Sequence, residues 1–162
     1  MDRLEFVLRS LEETSALGKV IGQAVIGGNI VYLDGDLGAG KTTLTKSLAE
    51  ALGIPGQAVS SPTFSLVQEY VGGRLTLYHL DIYRLQTAAE VINLGIDDYF
   101  ADNHAVIVIE WAKNAVDMLP TDALSIGLSA RPNANEQRDV ILMANGVESS
   151  ALLYRIREAL EC

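Results

Sequence analysis

Cysteine is nearly absent from this 162-residue chain, and the one example, Cys162, is the last residue. No disulfide can form within the chain, so stability has to come from packing, and the sequence fits a reducing compartment. Positive charge is scarce as well. Twelve lysines and arginines stand against twenty-one acids, for a net charge of −9, and the basic residues are scattered. Affinity for a nucleic-acid backbone comes largely from cations that displace counterions, so tight autonomous binding to RNA or DNA is not expected. If the chain serves a nucleic-acid pathway, it is expected to meet the nucleic acid only indirectly, through protein partners.

Membrane-length apolar runs are missing too. The uncharged stretch Val20–Leu33 is too short to span a bilayer and includes Gln23, Asn29 and several glycines. The start, Met1-Asp-Arg-Leu-Glu, carries charge where a secretory signal needs an apolar segment. A soluble cytoplasmic protein without membrane contact is the expectation. His79 and His104 are the only histidines. Neither has a partner at metal-ligand spacing, so both read as structural. No serine, cysteine or histidine arrangement points to nucleophilic catalysis.

What the chain has is enough apolar residue, 49%, to bury a core as one domain over residues 1–162. Arg3–Leu8 reads as a short strand. Ser10 or Thr14 is placed to cap a helix running to the Gly27-Gly28 break. Asn29–Asp34 is a compact apolar strand of the buried kind. A helix follows over Thr42–Leu52, with Leu44, Leu48 and Leu52 on its inner face and Gly53 and Pro55 to end it. Phe64–Tyr70 and Arg74–Leu80 flank Val71-Gly72-Gly73 as a hairpin. Glu90–Phe100 is helical with a break near Gly95, and Ala105–Glu110 is another buried strand. Asp122–Ser129 and Arg138–Met143 read as a second antiparallel pair across a polar loop. Val147–Glu161 is a closing helix with Leu152, Leu153, Ile156 and Leu160 inward. The expected fold is α/β, three-layered, with a mixed, partly antiparallel sheet of the P-loop nucleotide-hydrolase kind.

Between the second strand and its helix lies Gly35-Asp-Leu-Gly-Ala-Gly-Lys-Thr, which fits G-x-x-x-x-G-K-[ST] at every position and in the required context. Glycines let the backbone curl until successive N–H groups converge on phosphate oxygens, and the helix start adds the positive end of its dipole. The backbone of Asp36, Leu37, Gly38, Ala39 and Gly40 is expected to cradle a triphosphate. Lys41 is expected to reach its β and γ phosphates, and the Thr42 hydroxyl to ligate Mg²⁺, with Thr43 beside it.

Triphosphate chemistry also needs a carboxylate at the end of an apolar strand beside the loop strand, and Glu110 ends Ala105-Val-Ile-Val-Ile. Direct Mg²⁺ binding, binding through water and orientation of the attacking water remain open for it. Asp81 ends an alternating strand and could be a second acid, a helix cap or a salt-bridge partner of Arg84. Thr63, after Ser61-Pro62, is a candidate γ-phosphate sensor or an ordinary turn threonine. Trp111, the only tryptophan, reads as core on numbers alone. Neither Asn-Lys-x-Asp nor Asp-x-x-Gly after a strand is present, which puts ATP ahead of GTP.

Five motifs occur along the chain in order: Gly35-Asp-Leu-Gly-Ala-Gly-Lys-Thr-Thr, Ser61-Pro-Thr-Phe-Ser-Leu-Val, Leu77-Tyr-His-Leu-Asp-Ile-Tyr-Arg-Leu, Leu94-Gly-Ile-Asp-Asp-Tyr-Phe and Val108-Ile-Glu-Trp. Together, over about Leu11 to Leu119, they resemble the bacterial TsaE (YjeE) family. The resemblance implies a P-loop ATPase component of the machinery that forms N6-threonylcarbamoyladenosine on tRNA. It also implies TsaD and TsaB proteins as partners, with ATP hydrolysis resetting the complex between rounds. By position it assigns phosphate and Mg²⁺ roles to Lys41 and Thr42, the metal-site acid to Glu110, a second functional acid to Asp81, a switch-like threonine to Thr63, and a place beside the nucleotide to Trp111. An adenine rim is expected near Leu11 and Ala134. The chain departs from the family's usual Glu-Trp-Pro in having Ala112, so a more mobile loop is expected there. A small-molecule kinase is the alternative, with Arg131 and Arg138 the only candidates for a phosphate-clamping lid. A nucleotide-sensing adaptor that binds ATP without splitting it is a third reading.

Overall fold

The computed structural model describes residues 2–36, 38–59, 67–82 and 87–161. The elements are β1 (Asp2–Leu8), α1 (Leu11–Ala24), β2 (Ile30–Asp34), α2 (Lys41–Ala51), β3 (Val67–Tyr70), β4 (Thr76–Asp81), α3 (Ala88–Asn93), α4 (Ile96–Phe100), β5 (Ala105–Glu110), β6 (Leu124–Arg131), β7 (Ala134–Ala144) and α5 (Val147–Leu160). They form one seven-stranded sheet in the order β1-β7-β6-β2-β5-β4-β3. β6, β2, β5 and β4 are mutually parallel; β7 and β1 on one side and β3 on the other run antiparallel to their neighbours. The mixed sheet expected from the sequence is therefore present.

Strand alternation divides the core into two layers. Val106 and Val108 of β5 point into one apolar cluster with Leu17, Ile21, Leu44, Leu48, Leu152 and Ile156 from α1, α2 and α5. Ile107 and Ile109 point the other way, into a smaller cluster with Leu80, Ile82, Ile96 and Leu119. Every residue of β5 is buried, as its unbroken apolar run requires of a central parallel strand. No helix among the described residues is long and apolar enough to cross a membrane.

Two details fix the helices around the site. Ser10 caps α1, its Oγ accepting from Glu13 N–H at 3.2 Å, while Thr14 lies inside the helix. Gly18 and Gly22 bring α1 against α2 almost backbone to backbone. A Cβ at Gly18 would sit 2.6 Å from the Leu44 carbonyl oxygen, and one at Gly22 would sit 2.5 Å from that of Leu48. The far end of α1 has no basic residue of its own. Arg74 Nη2 donates to the Gly22 and Val25 carbonyls at 2.6 and 2.8 Å, and Arg155 Nε to that of Ala24 at 2.8 Å. These bonds satisfy carbonyls that a helix end leaves open.

Two expectations need correction. Ala130–Gln137 is not a polar loop: β6 runs on to Arg131 and β7 begins at Ala134. The turn is tight, with Asn133 in the left-handed region at φ 64°. Polar residues are tolerated there because Asn135 and Glu136 are exposed although they lie within a strand. Leu160, expected to point inward, is 41% exposed, whereas Leu152, Leu153 and Ile156 are buried. It occupies the last turn of α5, beyond the edge of the sheet's core.

The start of α5 has a cap supplied from far along the chain. Asp122 accepts from the N–H groups of Ser149 and Glu148, both at 2.9 Å, in place of the side chain that Gly146 lacks. Burial raises the Asp122 carboxyl's pKa, but hydrogen bonds from Ser149 and Glu148 outweigh it and hold the group below its ordinary value. Asp122→Ala is expected to destabilise the protein by about 1 kcal/mol near neutral pH, lowering Tm by roughly 2–4 °C. A depressed carboxyl contributes stability above its unfolded pKa and loses it as pH falls through the folded one. The difference between Asp122→Ala and wild type should therefore shrink in acid, which thermal melts across pH would check.

Candidate nucleotide site

The parallel strands β2, β5 and β4 end together, and the loop after β2 leads straight into α2. Such carboxyl-end crevices are where open α/β sheets bind ligands. Gly40 precedes α2 in the left-handed region at φ 104°, with no side-chain cap and no acid in the first turn of the helix. A residue with a Cβ would be strained there. The opening N–H groups of α2 thus receive no side-chain cap, the condition under which a helix start can take an anion. Lys41 is buried, and Thr42 and Thr43 beside it are half-buried.

Strand register supplies the acids. Glu110 is paired in the sheet with Leu33 on one side and with Asp81 on the other, so both carboxylates project from the α2 face at one edge of the crevice. Glu110 is itself buried, at 4% exposure. Its Oε1 lies 3.3 Å from Lys41 Nζ, and its Oε2 lies 2.6 Å from His79 Nε2. Burial pushes the Glu110 carboxyl up. The hydrogen bond and charge of His79, then those of Lys41, more than offset this and hold its pKa below the ordinary value. With Glu110 ionised, His79 Nε2 carries the hydrogen and donates it. His79 Nδ1 is buried without a partner among the described residues.

The chain of contacts continues outward. Lys41 Nζ stands 4.7 Å from the centroid of the Trp111 ring and Lys113 Nζ 5.0 Å from it, both within cation–π range. Lys113 also lies 3.5 Å from Asp34 Oδ1 at the end of β2. Trp111 reaches this position with φ 63°. For an indole-bearing residue that backbone costs on the order of 1–2 kcal/mol, and such strain gathers at functional sites. Ala112, where the resemblance expected proline, is buried and opens the 3-10 segment Ala112–Met118.

Lys41, Thr42, Thr43, Gly38, Ala39, Gly40, Asp81, Glu110 and Trp111 thus lie together at the carboxyl end of the parallel strands, and the Asp36 backbone carbonyl accepts from Ala39 N–H at 3.0 Å. Leu11 and Ala134 lie on neighbouring elements, at the start of α1 and of β7. Leu11 N–H donates to Glu136 Oε1 at 3.0 Å, and Thr14, one turn on, packs near Gly40. Ala134 reaches this region only through its strand. Leu37 and Thr63 lie outside the described residues.

Sequence reasoning missed two participants. His79, structural in having no metal-ligand partner at the right spacing, also holds Glu110 at 2.6 Å. Its two-residue offset from Asp81 put it on the same strand face, and that was the available signal. Arg138, considered for a lid, is a buried residue bonded to the Gly38 and Ala39 carbonyls. No local pattern announces a contact across about a hundred residues.

Comparison with known proteins gives the family. The family model described as Threonylcarbamoyl adenosine biosynthesis protein TsaE matches residues 8–140. The chain belongs to the TsaE family. The tRNA threonylcarbamoyladenosine biosynthesis protein TsaE of Bacillus subtilis is 39% identical over 146 residues, covering 90% of this chain and 89% of that protein. The protein of the same name from Treponema pallidum is 38% identical over 131 residues, covering 81% and 95%. The crystal structure of Bacillus subtilis YdiB superposes with a TM-score of 0.80 at 32% identity, over 98% of this chain and 96% of that one.

Removing one partner of a buried charge strands the others. His79→Leu is expected to destabilise the fold by about 1–3 kcal/mol. His79→Gln, which keeps a donor, should recover part of that loss. Denaturant unfolding of both variants checks this, and a wild-type midpoint for His79→Leu would contradict it.

Proposed function

We propose that this chain is an ATP-binding and ATP-hydrolysing subunit for formation of N6-threonylcarbamoyladenosine on tRNA, acting on a TsaD–TsaB complex. The observation that carries the reading is the Lys41–Glu110 pair at the head of α2, in a chain whose relatives are named for that pathway. We read residues 1–162 as one ATPase domain working in the cytoplasm. The net charge of −9 favours protein partners over direct tRNA contact.

The residues divide the work by chemistry. The ammonium of Lys41 is a mobile point charge, held by an acid and an aromatic ring, both of which a more highly charged phosphate outcompetes. The loop N–H groups and the start of α2 bind phosphate oxygens. Mg²⁺ takes one or two protein ligands and completes its shell with phosphate and water. Thr42 and Glu110 are the residues placed to hold it, and when bound it neutralises charge on the phosphate oxygens. A carboxylate with a lowered pKa is a weak general base. Glu110 therefore acts as a fixed negative charge and hydrogen-bond acceptor, orienting water or cation. Asp81 beside it, Trp111 against Lys41 and Thr63 complete the proposed set, with Leu11 and Ala134 at the adenine rim.

The kinase alternative loses its lid. Arg131 is engaged with Asp139 at 3.0 Å, and Arg138 is buried under the loop.

Lys41→Ala is expected to abolish ATP binding or turnover because the loop loses its charge. It also takes one partner from the buried Glu110, so circular dichroism should stay native at ambient temperature with a lowered unfolding midpoint. Glu110→Gln is expected to keep nucleotide affinity within a few-fold and lower hydrolysis at least a hundredfold. Phosphate release should rise when TsaD and TsaB are added. A phosphorylated metabolite in place of free phosphate would favour the kinase, and full partner-dependent activity without hydrolysis would favour an adaptor.

A further inference from the structure

Arg138 is 8% exposed, and no described carboxylate lies within ion-pair distance of it. All its hydrogen bonds go to backbone carbonyls. Nε donates to Ala39 at 2.9 Å and Nη2 to Gly38 at 3.2 Å, while Nη1 donates to Asn135 and Gln137 at 3.0 and 2.8 Å. A buried guanidinium is ordinarily matched by an acid. Here the two carbonyls belong to the phosphate-binding loop, and the other two belong to Arg138's own strand.

Every described peptide bond is trans, and a trans peptide points its N–H opposite to its carbonyl. Clamping the Ala39 carbonyl on Arg138 therefore turns the Gly40 N–H away from β7. The guanidinium fork is rigid and planar, so it holds two successive carbonyls in a set geometry, whereas a lysine's rotatable donors on a flexible stem fix no such geometry. The left-handed backbone of Gly38, φ 82°, and Gly40, φ 104°, gives this loop many alternatives, and the fork removes them. No described carboxylate pairs directly with this charge, which lies behind the loop expected to bind a polyanion.

We infer that Arg138 is a positioning residue for the phosphate-binding loop, acting through the Gly38 and Ala39 carbonyls and contributing a positive charge behind that loop. The inference rests on the nucleotide reading above. Its signature is a loss that grows with the number of phosphates, since Arg138 bears on the loop and not on the base.

The test is a titration of ATP, ADP and AMP into wild type, Arg138→Lys and Arg138→Gln, with thermal melts as control. In Arg138→Gln, ATP and ADP affinity should fall by at least tenfold and AMP affinity by much less. Arg138→Lys keeps charge without the fork and should fall between Arg138→Gln and wild type. If Arg138→Gln does not fold, Arg138→Lys decides alone: a loss concentrated in ATP and ADP supports the inference. Equal losses for all three nucleotides, unchanged ATP affinity, or an Arg138→Lys that does not fold would overturn it. Wild type that binds none of the three would instead refute the nucleotide reading itself.

Discussion

Glu110 sits where a carboxylate is costly, at the end of a strand buried along its whole length. An unpaired charge in that position would protonate or unfold the site. Two cation-capable side chains prevent this: His79 from the neighbouring strand at 2.6 Å and Lys41 from α2 at 3.3 Å. Much else follows from that need. β4 has to pair with β5 in the register that sets His79 opposite Val108. α2 has to start where its first residue meets the strand end. Trp111 takes a strained backbone immediately afterwards and lies against the same lysine.

The frame that holds this arrangement is built from ordinary packing. Leucines and valines on one face of the sheet meet α1, α2 and α5, and the glycines of α1 let it press on α2 closely enough to fix that helix. The antiparallel strands β7 and β1 extend the sheet beyond the parallel core. β7 also carries Arg138 under the loop and Glu136 to the start of α1. An edge that looks like a structural extension thus touches the site twice.

Much of the fold was legible because it is local. The loop glycines, the apolar run before Glu110 and the leucine spacing in α2 each report a single element, and each element formed where its pattern placed it. The polar stretch Ala130–Gln137 misled because a strand with exposed residues has the composition of a loop. His79 and Arg138 show a different limit. Their roles depend on strand register and on a contact about a hundred residues away: His79 shows its role only in its two-residue offset from Asp81, and Arg138 leaves no mark on neighbouring sequence. Family membership in turn gives the pathway of the relatives, while the balance of charge around Glu110 argues for its role as a fixed, ionised group.

The central claim is that the Lys41 ammonium exchanges a carboxylate and an indole for phosphate. A crystal structure with Mg²⁺ and a non-hydrolysable ATP analogue tests it most directly. The account predicts the β and γ phosphates on the opening N–H groups of α2, with Lys41 Nζ bonded to them and moved off Glu110, and with His79 still holding Glu110 Oε2. Phosphates bound elsewhere, with Lys41 still 3.3 Å from Glu110, would contradict it.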